Sequence, residues 1–189
     1  RRVYNYTPYP GEVWDVGIGQ GIVEFTPLQM AAYTSLLANG GYHYQPHVVQ
    51  KIVDPSGNVS FQVEPKLLAE VDLDPAALGI VRNGMHEVTL PARPGGPGNG
   101  SAYYLFTYDP VMRDGQKVEV AAKTGSAEVG PGISPHSWFI GYAPFDDPEI
   151  AVAVFVGHGR WGATAGVPVG HAIMKAYFEG LPEVETVSP

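Results

Sequence analysis

The chain has no cysteine among its 189 residues, which excludes disulfides, thiol nucleophiles and thiolate metal sites. Charge is sparse as well. Only 16% of residues are charged, acidic ones outnumber basic ones 19 to 11, and no Lys/Arg cluster interrupts the net charge of -8. Phosphate contacts need a basic face, so a nucleic-acid partner is excluded. The longest apolar run, residues 150–157, suits a strand and is far short of the ~20 residues that span a bilayer. His43, His47, His86 and His171 have no metal-ligand spacing with carboxylates, and neither metal nor cofactor is expected. There is no internal repeat and no initiator Met. The opening Arg1-Arg2-Val3 suggests a piece of a longer protein.

Glycine (24) and proline (18) are abundant, and 44% of residues are hydrophobic, so a packed core is broken by many turns. Residues 1–15 are aromatic, Pro-containing and aperiodic, and are expected to form an extended loop. Thr26-Pro27 offers an N-cap followed by an N1 proline. The helix over 28–38 is apolar on most sides, hence expected buried, and stops at Asn39-Gly40-Gly41. Residues 48–53 and 59–63 alternate around Asp54-Pro55-Ser56-Gly57-Asn58 and predict a hairpin. A second helix starts at Asp74-Pro75 and ends before Pro91. Strands are expected at 118–123, 138–143 and 150–156, the last two antiparallel neighbours, followed by a helix over 166–180 packed on one face of their sheet. The expected class is α+β: residues 1–15 as loop, 16–100 as helices and hairpin, and 101–180 as sheet strands and terminal helix. Three strands make a narrow sheet that further strands would complete.

Chemistry concentrates at Lys123-Thr124-Gly125-Ser126, at the end of a β-prone run. Lysine there supplies fixed positive charge, and two hydroxyls suit a carboxylate. Glycine lets another backbone lie along the strand edge, and the Ser126 N–H suits a developing oxyanion. His136 and His158 flank the strands beside Lys123 and are candidates for the rim of the same cleft. Tyr103-Tyr104-Leu105-Phe106 suits core packing better than a groove.

In order along the chain, Gly19-Gln20-Gly21, the Thr26-Pro27-Leu28-Gln29-Met30-Ala31 helix start, Asn39-Gly40-Gly41, Gly100-Ser101-Ala102 and Lys123-Thr124-Gly125-Ser126 resemble the class B penicillin-binding proteins. His136-Ser137-Trp138-Phe139 and Gly141-Tyr142-Ala143-Pro144 extend the match, which is nearest to the elongation-type penicillin-binding protein 2 group. The resemblance implies the C-terminal portion of one transpeptidase domain over 1–189, a partial penicillin-binding/β-lactamase-like fold whose upstream part is missing. It implies cross-linking of peptidoglycan stem peptides ending in D-Ala-D-Ala through an acyl-serine, and inhibition by β-lactams. It also implies a membrane anchor, a catalytic domain outside the cytoplasm and a membrane glycosyltransferase partner. By the same resemblance Lys123 and Ser126 are catalytic: the lysine acts in proton transfer and the Ser126 N–H in the oxyanion hole. Thr124, Gly125, Ser126 and His136 bind substrate.

No serine in the chain has lysine three residues later, so the S-x-x-K nucleophile of that family is not in it. Ser56-Gly57-Asn58 matches S-x-N by letters, but follows Asp54-Pro55 in a turn and lies on the wrong side of Gly19-Gln20-Gly21 for the second motif. The chain alone is therefore expected to be inactive, with the upstream part of the same protein as its partner. A catalytically dead scaffold module and a serine D,D-carboxypeptidase or β-lactamase relative are the alternatives.

Overall fold

The computed structural model describes residues 10–21, 24–96 and 98–180. In chain order the elements are α1 (Pro10–Gly17), α2 (Pro27–Ala38), β1 (Tyr42–Tyr44), β2 (Lys51–Val53), β3 (Val59–Gln62), β4 (Leu67–Glu70) and α3 (Pro75–Glu87). They continue with α4 (Tyr103–Tyr108), β5 (Met112–Arg113), β6 (Gln116–Lys117), β7 (Ala121–Ala127), β8 (His136–Ala143), β9 (Ile150–Val156) and α5 (Gly162–Glu179).

Local chemistry sets the helix ends. Thr26 and Gln29 form a reciprocal capping box: the Gln29 N–H donates to Thr26 Oγ1 at 3.2 Å and the Thr26 N–H to Gln29 Oε1 at 2.8 Å. After Ala38 the chain turns through Gly40 (φ +88°) and Gly41 (φ +116°), and the Gly41 N–H returns to the Leu36 carbonyl. Asp74 caps α3 by accepting the Ala77 N–H at 2.7 Å.

The central sheet runs β7-β8-β9, antiparallel throughout, with Lys123 opposite Ile140 and Ile140 opposite Ala153. Its two faces carry separate cores. On one, α5 and α4 pack Val167, Met174 and Phe106 against Phe139, Val152 and Val154. On the other, α2 and α3 bring Leu37, Ala38 and Met85 onto Ala121 and Tyr142. Burial pushes the Tyr142 hydroxyl's pKa up although the Arg82 guanidinium beside it acts in the opposite direction. Arg82 donates to both the Tyr142 hydroxyl and the Phe145 carbonyl, at 3.0 Å each, tying α3 to the turn after β8.

Several expectations change in tertiary context. Residues 10–15 are in α1, not an extended loop; residues 1–9 lie outside the described residues. At eight residues, bounded by Pro10 and Gly17, this helix is too short to give a periodic signal in the sequence. The strand expected at 118–123 is shifted to Ala121–Ala127, because β8 begins at His136 and pairs with the strand as far as Ala127. Helix α2 is only half covered: Thr34, Leu37 and Ala38 are buried, whereas Leu28 is 62% exposed. Helix α5 starts four residues earlier than expected. The β1–β4 and β5–β6 pairs had no signal strong enough to be anticipated.

Candidate active site

All four residues of Lys123-Thr124-Gly125-Ser126 lie inside β7, the edge strand of the sheet, with β8 on one side only. Strand alternation divides them between two faces. Lys123, Gly125 and Ala127 share a face with their partners Ile140, Trp138 and His136. This face lines a cleft of about 570 Å³, whose opposite wall comes from Val16, Ile18, Gly19 and Gln20 together with Phe25, Met30 and Tyr33. Thr124 and Ser126 turn their side chains to the α5 face. There the Thr124 hydroxyl bonds the Ser101 hydroxyl at 2.7 Å, and Ser126 Oγ accepts the Gly162 N–H at 3.1 Å.

The start of α5 is built against the strand. A Cβ on Gly162 would stand 2.6 Å from the Gly125 oxygen, so only glycine permits the approach. Buried Ser137 locks the seam: its hydroxyl donates to the Trp161 carbonyl at 3.2 Å and accepts the Gly166 N–H at 2.9 Å. The positive end of an 18-residue helix therefore lies directly behind Thr124 and Ser126, which favours an anion there.

The free edge of β7 presents backbone groups to the cleft. The Thr124 carbonyl accepts from Lys123 Nζ and the Ser126 carbonyl from Gln20 Nε2. Residues 124 and 126 fall in the same set of the antiparallel alternation, so their backbone groups point the same way, toward these two donors. The Ser126 N–H belongs to the same outward set.

His136 sits opposite Ala127, which lines the cleft at its end, but is not itself a lining residue. Its Nδ1 accepts the His158 N–H at 3.0 Å, and its ring meets His158 and Phe155 at 4.7 and 5.0 Å. His136 Nδ1 is thus an acceptor, and the ring proton of the neutral form is on Nε2. The Ser56-Gly57-Asn58 triplet is turn chemistry: Asp54 Oδ1 accepts both the Ser56 and Asn58 N–H groups. These bonds, that of the Asn58 N–H foremost, hold the Asp54 carboxyl below its ordinary pKa. Phe106 is core, packed on Phe139 with ring centroids 6.4 Å apart.

Two contributors went unassigned from sequence. Ser101 and Gln20 both belong to segments singled out above, Gly100-Ser101-Ala102 and Gly19-Gln20-Gly21. Their contacts cross 23 and 106 residues of chain, a distance that spacing does not encode. Among the described residues no group of three His, Asp or Glu side chains is placed to hold a metal, and no helix is long and apolar enough to cross a membrane.

An edge strand carrying this motif is backed by a helix N-terminus and faces a cleft, a geometry suited to an anionic ligand laid along the strand. Residues 5–177 match the penicillin binding protein transpeptidase domain, and the chain belongs to that family. It is 30% identical to the peptidoglycan D,D-transpeptidase MrdA of Haemophilus influenzae over 93% of this chain and 27% of that protein. Its fold superposes on Pseudomonas aeruginosa PBP2 in complex with WCK 5153 with TM-score 0.71 and 33% identity, covering 97% of this chain and 37% of the other. The imipenem acyl-enzyme of penicillin-binding protein A from M. tuberculosis gives TM-score 0.65 and 27% identity, over 90% and 35% of the two chains. The chain spans about a quarter to a third of the length of these curated relatives.

Proposed function

We propose that this chain is the C-terminal portion of the transpeptidase domain of a peptidoglycan D,D-transpeptidase, over residues 1–189. In the whole protein an upstream serine attacks the penultimate D-Ala carbonyl of a stem peptide and expels the terminal D-Ala. The acyl-enzyme then passes to an amine of a second stem. The observation that carries this reading is the edge strand β7, with the lysine motif on the cleft and the N-terminus of α5 behind it. Lys123 supplies positive charge at the cleft face and assists proton transfer to the upstream nucleophile. The Thr124 and Ser126 hydroxyls, close to the helix N-terminus, bind the terminal carboxylate of the donor or of a β-lactam. The outward Ser126 N–H stabilises the tetrahedral oxyanion, a contribution of about 3–4 kcal/mol where such donors have been removed. Gly125 keeps the strand face open, and His136 closes the rim beyond Ala127. The protein acts outside the cytoplasm on a membrane anchor, beside a membrane glycosyltransferase that supplies its glycan strands.

The test is the intact mass of the whole protein before and after incubation with a penicillin. The expected result is one stoichiometric adduct on a serine outside residues 1–189. An adduct within these residues, or none, would overturn the reading.

A further inference from the structure

We propose that Gln20 is a specificity-determining residue of this site: its carboxamide guards the Ser126 carbonyl, and an extended ligand pairing with β7 must displace it. The inference rests on the transpeptidase reading above. Gln20 Nε2 donates to the Ser126 carbonyl at 3.2 Å, and both residues line the cleft. A main-chain carbonyl can only accept, so the carboxamide presents its nitrogen to it.

The loop that delivers Gln20 is held by its own backbone. The Gln20 N–H returns to the Asp15 carbonyl at 2.8 Å, and the Gly19 N–H to the Val16 carbonyl at 3.0 Å. Gly19 and Gly21, at φ +78° and +75°, supply the left-handed conformations that this path needs. The side chain is therefore what moves. It is half-buried, and a displaced carboxamide at such a position finds water without stranding a polar group.

The acceptor it covers is the one a ligand needs. A peptide adding to the free edge gains affinity from main-chain hydrogen bonds, and the edge offers two outward carbonyls in the cleft, those of Thr124 and Ser126. The Thr124 carbonyl is taken by Lys123, its neighbour in sequence; the Ser126 carbonyl is taken from across the cleft by Gln20. An unguarded edge would pair with any extended chain. With the guard in place, a ligand whose own N–H reaches Ser126 exchanges one hydrogen bond for another. A ligand with no N–H at that point loses nothing by leaving Gln20 where it is. Gln20 thus lowers the preference for amide-bearing ligands by about the worth of one net hydrogen bond, roughly fivefold.

The experiment compares acylation of the whole protein by two β-lactams: penicillin G, which carries an acylamino N–H beside the ring, and imipenem, whose hydroxyethyl group has none. The readout is the ratio of their second-order acylation rates in wild type, Gln20→Ala and Gln20→Glu. The glutamate variant keeps the shape and cannot donate when ionised. The expected result is a penicillin-to-imipenem ratio about fivefold higher in both variants, expressed in the binding step and not in the acylation step. A ratio that is unchanged or lower overturns the proposal while leaving the transpeptidase reading intact. A wild-type protein acylated by neither compound overturns both.

Discussion

Replacing Gly162 by alanine places a methyl group in the seam between α5 and the site strand. The new Cβ would stand 2.6 Å from the Gly125 oxygen, 2.8 Å from its nitrogen and 3.0 Å from Thr124 Cβ. Ordinary contact begins near 3.4 Å, so helix and strand must separate by about 0.8 Å. Two of the three atoms met are backbone, which leaves no flexible side chain to step aside. The separation lengthens the Gly162 N–H bond to Ser126 Oγ, now 3.1 Å, and strains the Ser137 lock beside it. Overpacking of this kind costs about 1–3 kcal/mol in stability. The catalytic loss is the larger effect, because a misplacement near 1 Å at a reacting centre costs about a hundredfold. The assay is the time course of acylation of the whole protein by a fluorescent penicillin, paired with a thermal melt. Gly157→Ala is the control, since its Cβ would meet only Phe155, at 3.9 Å. Wild-type acylation and melting in Gly162→Ala would refute the argument that α5 sets the position of the motif.

Gly125→Ala is expected to fold, because its Cβ meets only Trp138 Cβ at 3.3 Å, yet to acylate more than about tenfold slower, because the methyl enters the cleft beside the reacting carbonyl. Thermal melts and the fluorescent-penicillin time course separate the two effects. For Glu119, burial raises the carboxyl pKa, but hydrogen bonds from His86 and Lys117 outweigh it and hold the pKa below the ordinary 4.5. The stability this contributes is fully present above pH 4.5 and is lost as pH falls through the depressed value. Melts of wild type and Glu119→Gln should therefore differ at pH 7 and converge in acid; a difference that grows in acid would show the sign to be wrong.

Short-range chemistry was legible in the chain. The caps at Thr26 and Asp74, the Asn39-Gly40-Gly41 stop, the Asp54–Asn58 turn and the antiparallel strands around residues 144–148 all follow from neighbours a few positions apart. Helix α1 and the β1–β4 pair were not legible. The helix spans only eight residues and the pair joins three- and four-residue strands, so each is too short to display a burial period.

The motif Lys123-Thr124-Gly125-Ser126 was visible as letters, and its residue types already implied a carboxylate and an oxyanion. The absence of a serine with lysine three positions on was equally a property of the sequence. What the letters could not contain is the division of the motif between two faces, with Lys123 toward the cleft and the two hydroxyls toward α5. That division follows from pairing with β8, whose register is decided where Phe139 and Tyr142 bury on opposite sides of the sheet. Nor could they contain the approach of Gly162, Ser101 and Gln20, which lie 36, 23 and 106 residues from their partners. Local hydrogen bonding determines where an element starts and stops. Only the packing of two cores against one sheet brings distant polar groups to the same edge, because burial, and not proximity in sequence, selects which faces meet.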